Sequence, residues 1–313
     1  VRSSDDGAAA WLDPRQGGKD MREKPAAAPP AVAANRIILG DNLAVLRALP
    51  SGSVHLIYID PPFNTGHTQT RTPLTVVRDD AGGDRTGFGG RRYRTLPAAF
   101  TTAYADAYDD YLAFLEPRLV EARRVLAPTG ALYVHLDYRE VHYVKVLLDG
   151  IFGRANFLNE IIWAYDYGGR TRRKWPPKHD TILYYARDAR DYVFNAGAID
   201  RIPYLAPGLV GPEKAARGKL PTDTWWQTIV SPTGREKTGY PTQKPLAILR
   251  RIIAASSNPG DVVLDFFAGS GTTGVAAHAL GRRFILVDHS EAALRVMARR
   301  FPPGVAEFVN FTP

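Results

Sequence analysis

An α/β fold built on a doubly wound, mostly parallel sheet is what this chain predicts, and three observations carry the prediction. Two short apolar runs, residues 54–59 and 262–264, each stop at an acidic residue, Asp60 and Asp265. Buried parallel strands end this way where an open sheet meets its ligand. Around these runs, helical spacing of apolar residues alternates with further strand-like stretches. A length of 313 residues also suffices for one large α/β domain with an inserted or appended region.

Taken in order, residues 1–34 are rich in Ala, Pro, Gly and charge and read as a disordered tail. A strand is expected over 36–39 and a helix over about 42–49, for which Asp41 is a natural N-cap. The strand over 54–59 runs into the tetrad Asp60-Pro61-Pro62-Phe63. The two prolines bring no N–H donors, and a residue before proline is held extended. The Pro61 carbonyl can therefore project beside the Asp60 carboxylate, a pair of acceptors about one amino group apart with the Phe63 ring close by. Alone, the tetrad is equally natural as a strand-ending turn. Residues 64–97 show little periodicity and many arginines, and read as a long, mobile basic loop or a solvated insertion.

From Tyr111, the positions Leu112, Leu115, Leu119, Ala122 and Leu126 fall at helical spacing and stop at Pro128-Thr129-Gly130. A strand over 131–136 follows, with Asp137 and Tyr138 at its end, and then a helix over about 139–152. His135 and His142 read as structural, because nothing beside them has metal-ligand spacing. Residues 163–178 interleave aromatics with cations before a strand-like run at 181–186, a mixture suited to gripping a phosphate backbone and stacking on bases. Trp225 and Trp226 suit an interface or a base wedge, with buried packing the expectation for at least one. Pro241-Thr242-Gln243-Lys244-Pro245 opens a helix whose apolar face is Leu246, Leu249, Ile252 and Ile253, ended by Asn258-Pro259-Gly260. Its first turn suits a carboxylate, through backbone amides, Thr242 and Lys244, although capping alone would explain Thr242.

The last third carries the most chemistry. Asp265-Phe266-Phe267-Ala268-Gly269-Ser270-Gly271-Thr272-Thr273-Gly274 reads as a strand end, a glycine loop and the start of a helix. A second strand over 284–287 then ends in Asp288. Gly269, Gly271 and Gly274 satisfy the G-x-G-x-x-G fingerprint, so an NAD-linked oxidoreductase has to be weighed. Asp265 argues against it. A carboxylate at the loop would repel a pyrophosphate but suits the ammonium and sulfonium of S-adenosylmethionine, with Asp288 placed for the ribose hydroxyls.

Phe267-Ala268-Gly269-Ser270-Gly271-Thr272-Thr273 resembles the cofactor loop of amino-methylating DNA methyltransferases, and Asp60-Pro61-Pro62-Phe63 resembles their catalytic motif. The catalytic motif comes roughly 200 residues before the cofactor loop. That circularly permuted order resembles the β group of bacterial enzymes that act on adenine N6 or cytosine N4, as in restriction-modification systems. Leu39-Gly40-Asp41-Asn42, Lys178-His179-Asp180 and Tyr240-Pro241-Thr242-Gln243-Lys244-Pro245 fit the same family, and the likeness spans about residues 35–313.

The resemblance implies a Rossmann-like methyltransferase domain in two halves, 35–186 catalytic and 241–313 cofactor-binding, flanking a target-recognition region at 187–240. It implies S-adenosylmethionine bound by Asp41, Asp60, Thr242, Lys244, Asp265, Phe266, Phe267, Ala268, Gly269, Ser270, Gly271, Thr272 and Asp288. Double-stranded DNA is then the partner, met by Arg91, Arg92 and Arg94 from the basic loop and by Arg170, Arg172, Arg173, Lys174, Lys178 and His179. A homodimer and a cognate restriction enzyme are further partners that such enzymes admit. Asp60 and the Pro61 carbonyl would draw the target amino group toward tetrahedral geometry, Phe63 would stack on the flipped base, and transfer would need no covalent enzyme intermediate. Asp at the head of the tetrad favours adenine, whereas Phe63 replaces the usual Tyr and leaves cytosine open.

Composition agrees. A formal charge of +8 and a pI near 9.6 suit a polyanionic partner, as they would an ordinary basic enzyme. With no cysteine, the chain cannot form the thiolate adduct of cytosine C5 methylation, nor the zinc site of base deaminases. A noncatalytic DNA-binding module would account for the charge but leave both motifs unexplained. No signal-peptide pattern or membrane-length apolar run is present, so a bacterial, cytoplasmic, nucleoid-associated enzyme is expected.

Overall fold

Continuous apolar runs dictate the centre of the fold. Such strands are buried on both faces and need helices on each side. In a computed structural model that describes residues 35–66, 69–71, 75–79, 81–86, 92–96, 102–104, 108, 110–168, 170–231 and 234–313, they form one sheet. The chain runs through β1 (Arg36–Leu39), α1 (Asn42–Ala48) and β2 (Val54–Ile59). Five short strands follow: β3 (Gln69–Arg71), β4 (Thr75–Arg78), β5 (Arg85–Thr86), β6 (Arg92–Leu96) and β7 (Thr102–Tyr104). Next come α2 (Tyr111–Val125), β8 (Leu126–Leu136), α3 (Val141–Phe152), β9 (Phe157–Ala164) and β10 (His179–Ala186). The last third holds α4 (Pro212–Arg217), β11 (Thr224–Trp226), α5 (Leu246–Ser256), β12 (Val262–Asp265), α6 (Thr272–Ala279), β13 (Arg283–Asp288), α7 (Glu291–Ala298) and β14 (Glu307–Val309).

Among the described residues the main sheet has nine strands in the order β11-β9-β10-β8-β2-β12-β13-β1-β14. Only β10 runs against the rest. Leu46, Leu115, Leu119, Val144 and Leu148 of α1, α2 and α3 pack on one face, and Ile248, Ile252, Ala276, Leu294 and Met297 of α5, α6 and α7 on the other. This is the doubly wound arrangement expected. From β2 the chain moves one way across the sheet to β8, and from β12 it moves the other way to β13. The crevice between the C-terminal ends of β2 and β12 is thus a topological switch point, where open sheets take ligands. Asp60 and Asp265 stand on its two sides.

Several expectations need correction. Residues 64–97, read as a mobile basic loop or a solvated insertion, are not without regular structure: among the described ones β4, β6 and β5 form one small antiparallel sheet, and β3 pairs with β7 beyond the segment. Helix α2 stops at Val125, and Leu126 already pairs with Val54 on β2. Helix α5 begins at Leu246, after the proline motif rather than within it. Strands β9, β11 and β14 and helix α7 were not foreseen. Part of the 187–240 region belongs to the sheet, since β11 lies parallel to β9. No helix among the described residues is long and apolar enough to cross a membrane. The tail at 1–34 lies outside the described residues.

Candidate active site

The tetrad leaves β2 at the crevice, and Asp60, Pro61, Pro62 and Phe63 all line a cavity of about 560 Å³. Its exit is fixed locally. Tyr111 Oη donates to the Pro62 carbonyl (2.6 Å), while Asn64, left-handed at φ 53°, donates to Glu140 Oε1 (2.7 Å) and accepts from the Tyr108 amide (3.1 Å). Asp60 Oδ2 pairs with Lys244 Nζ, which also lies 5.2 Å from the centre of the Phe63 ring. Asp60 Oδ1 is buried and has no hydrogen-bond partner among the described residues. An unmet buried acceptor is costly, so this oxygen marks where a donor belongs.

On the other side of the crevice the glycine loop is organised by two carboxylates. Asp265 accepts from the Phe267 amide (3.0 Å) and from Thr273 Oγ1 (2.6 Å). Burial pushes its carboxyl up to about 7, against the opposing pull of these two hydrogen bonds. Asp288 accepts from the Gly269 and Ser290 amides (2.8 and 2.9 Å), and burial pushes it up as well. Ser270 and Thr272 hydrogen-bond each other and are held by Arg300, while Phe267 packs 6.1 Å from Phe114.

Of the residues predicted for the cofactor, Asp41, Asp60, Thr242, Lys244, Asp265, Phe266, Phe267, Ala268, Gly269, Ser270, Thr272 and Asp288 line the cavity. Gly271 does not: it is the left-handed N-cap of α6, and a Cβ there would lie 2.8 Å from Met297 Cγ. Its role is close packing under the loop. Thr242 is not a helix cap but a left-handed turn residue at φ 55°, and Lys244 faces the Asp60 carboxylate instead of standing free for a carboxylate of the ligand. Asp41 accepts from the Ala44 amide as N-cap of α1 (3.0 Å) and pairs with Arg118 (3.2 Å), so capping and a position at the cavity coexist.

The donor set discriminates between cofactors. Asp41, Asp60, Asp265 and Asp288 line the cavity, and its cations Arg118 and Lys244 are already matched to Asp41 and Asp60. Such a lining leaves neither of these two cations for a pyrophosphate and offers carboxyls to a ligand bearing an ammonium and a sulfonium. S-adenosylmethionine therefore fits these residues, and NAD does not.

Sequence reasoning missed a polar cluster behind the tetrad. His135, fully buried on β8, lies with Nδ1 2.8 Å from Tyr58 Oη and 3.8 Å from Asp60 Oδ1, and with Nε2 3.1 Å from Asp180 Oδ2. Tyr165 Oη donates to the other Asp180 oxygen (3.0 Å). The only sequence signal was Asp180 within the Lys178-His179-Asp180 segment. The contact with His135 needed the pairing of Leu136 with Thr181.

The predicted DNA contacts fall in two places, both away from the cavity lining. Arg170, Arg172, Arg173 and Lys174 are exposed between β9 and β10, beside Trp175, which is 94% exposed. Lys178 donates to the Asp166 and Gly168 carbonyls, and His179 is exposed at the start of β10. Because β10 runs antiparallel to β8, this connection overhangs the same end of the sheet as Asp60. Arg92 donates to the Gly83 carbonyl (2.6 Å) and Arg94 pairs with Asp79, so both guanidiniums are engaged within the small sheet. Arg91 lies outside the described residues. Trp225 is buried with Nε1 donating to the Thr222 carbonyl (2.7 Å), and Trp226 is exposed, a split that fits one packing role and one surface role.

Comparison with known proteins agrees with this geometry. The DNA methylase family model matches residues 54–299. DNA adenine methyltransferase YhdJ of Escherichia coli K12 is 31% identical over 280 residues, covering 85% of this chain and 82% of that protein. Type II methyltransferase M.HpaI of Haemophilus parainfluenzae is 29% identical over 276 residues, covering 88% and 76%. Among solved structures, TTHA0409 of Thermus thermophilus complexed with S-adenosyl-L-methionine aligns over 90% of this chain and 100% of its own, with a TM-score of 0.55 at 21% identity. The cytosine-N4-specific PvuII DNA methyltransferase aligns over 89% of each chain, with a TM-score of 0.58 at 16% identity. At these identities the two structures bear on the fold.

Proposed function

The chain belongs to the DNA methylase family of N6-adenine and N4-cytosine methyltransferases, and from that premise we propose that it methylates adenine N6 in double-stranded DNA with Asp60 to Phe63 as its catalytic motif. Its reaction is the S-adenosylmethionine-dependent methylation of an exocyclic amino group in DNA. The observation that carries the residue assignment is Asp60 Oδ1, a buried acceptor with no partner among the described residues, at the cavity and at the switch point of the sheet.

The lone pair of an aromatic amine is delocalised into its ring, and the amine is a poor nucleophile until acceptors draw its hydrogens out of the plane. Asp60 Oδ1 supplies one acceptor. The Pro61 carbonyl supplies the second, since the neighbouring Pro62 carbonyl is taken by Tyr111. Phe63 offers its ring to the flipped base. Asp41, Asp265, Asp288 and the loop from Phe266 to Thr272 hold S-adenosylmethionine, which when bound supplies a methyl group on a cationic sulfur. The exposed cations from Arg170 to Lys174, with Lys178 and His179, meet the phosphates of the duplex. In the apposition of these parts, positioning and desolvation do most of the catalysis.

Adenine is favoured by Asp60 at the head of the tetrad, and the adenine specificity in the name of YhdJ supports it. The name of M.HpaI, a type II methyltransferase, supports a place in a bacterial restriction-modification pair. The test is Asp60→Ala with tritiated cofactor and DNA from a methylation-deficient host. Methyl transfer falls by at least about 10²-fold while DNA and cofactor still bind. Wild-type rates in this variant would remove Asp60 from the chemistry.

A further inference from the structure

Behind Asp60 lies a buried cluster that the reaction as described does not use. Its hydrogen bonds set which partner each ring nitrogen of His135 faces. Asp180 accepts from Tyr165 Oη at Oδ1 (3.0 Å), and its Oδ2 faces His135 Nε2 (3.1 Å), so Nε2 carries the hydrogen. Burial pushes the Asp180 carboxyl up, but His135, Lys244 and Tyr165 outweigh that and hold it below the ordinary carboxylate range, as an anion. Tyr58 Oη has His135 Nδ1 as its partner among the described residues, and in the neutral Nε2–H tautomer the hydroxyl donates to the Nδ1 lone pair. Burial, with Asp60, Asp265 and Asp180 nearby, pushes Tyr58 well above the ordinary phenol range and keeps it a hydroxyl.

The charge balance of the cluster points to its use. Asp60 and Asp180 are two carboxylates against the single ammonium of Lys244. One negative charge is uncompensated in a buried place, where such an imbalance is expensive. A proton on His135 would bring the cluster to neutrality. The nitrogen that would receive it lies 3.8 Å from the unpartnered Asp60 oxygen.

We propose that His135 and Asp180 act through Asp60 as a proton-accepting pair for the methyl transfer. The inference rests on the reading of Asp60 as the acceptor of the target amino group. As the nitrogen lone pair forms the N–C bond, the C–S pair returns to sulfur and the amine holds one proton too many. That proton goes to Asp60 Oδ1 and on to His135 Nδ1, as the two atoms close by about 1 Å to hydrogen-bond distance and the Tyr58 hydroxyl turns to become an acceptor. Asp180 fixes the tautomer beforehand and stabilises the imidazolium afterwards. The positive charge lost from sulfur thus reappears between two carboxylates. The groups that face His135 are Tyr58 from β2, Asp60 beyond it, Asp180 from β10, and the rings of Phe63 and Trp163 at 5.9 and 5.4 Å, with Tyr165 and Lys244 one contact further out.

The test compares His135→Gln, Asp180→Asn and Asp60→Ala in single turnovers on DNA from a methylation-deficient host. For the first two, the transfer rate falls by about 10²-fold or more, while cofactor and DNA affinities stay within about threefold of wild type. The pH profile of the transfer rate differs between wild type and His135→Gln. In the cofactor-free protein, imidazole 1H–15N spectra show one buried histidine with its hydrogen on Nε2, and that signal is absent in His135→Gln. If Asp60→Ala keeps wild-type transfer, the reading of Asp60 itself fails. If Asp60→Ala is inactive but folded His135→Gln transfers methyl groups within about threefold of wild type, or loses only binding with its pH profile intact, the pair is overturned alone. Should His135→Gln not fold, Asp180→Asn is judged by the same criteria.

Discussion

Asp265 is held by the fold in a state its ligand would reverse. Its carboxyl moves from an ordinary 3.8 to about 7 on burial, so folding favours the neutral form. For a group raised in this way the stabilising contribution is full below about 3.8 and is lost as pH rises through about 7, a swing on the order of 4 kcal/mol. Asp265→Asn keeps both hydrogen bonds, because an amide oxygen can accept from the Phe267 amide and its NH2 can donate to Thr273 Oγ1. The variant is expected to melt at a higher temperature than wild type at pH 8 and to show no such gain at pH 4, by differential scanning fluorimetry at the two values. A cationic ligand favours the carboxylate, so wild-type affinity for S-adenosylmethionine rises with pH toward about 7, and Asp265→Asn loses both affinity and that dependence. Asp60, Asp265 and Asp288 were legible in the sequence because each ends an apolar run, and Asp41 because it precedes a helix as its N-cap. Tyr58, His135 and Asp180 were not, because their meaning lies in contacts between strands that only register brings together.

At the scale of elements, the strand–loop–helix unit from β12 to β13 works through close approach. A Cβ on Gly274 would lie 2.6 Å from Leu286 Cδ1 and 3.0 Å from Phe301 Cζ, both in packed core. Gly274→Ala is therefore expected to destabilise the protein by about 1–3 kcal/mol, read as a lower melting temperature, although the residue touches no ligand. An unchanged melting temperature would mean that α6 can shift away from β13 at little cost. The G-x-G-x-x-G pattern was visible in the sequence, but not that Gly271 and Gly274 serve helix packing while, of the three, only Gly269 lines the cavity. The central strands were legible as unbroken apolar runs. Strand β9 was not, since Asn159 and Glu160 are exposed in its middle, and β11 has only three residues to announce it.

At the scale of the molecule, two motifs roughly 200 residues apart meet because β2 and β12 are neighbours in the sheet. The permuted order changes which loop joins the halves and leaves the crevice intact. The positive charge of the chain, expected from composition to meet a polyanion, gathers in part between β9 and β10, over the end of the sheet that holds Asp60. What composition could not convey was that Arg92 and Arg94 are engaged in a small sheet of their own. The central claim, methyl transfer to an exocyclic amino group of DNA through Asp60, is tested most directly by nucleoside mass spectrometry. DNA from a methylation-deficient host is incubated with the purified protein and S-adenosylmethionine, then digested and analysed. Wild type is expected to yield N6-methyladenine and Asp60→Ala none; 5-methylcytosine alone, or no methylated base across varied duplex substrates, would exclude this chemistry.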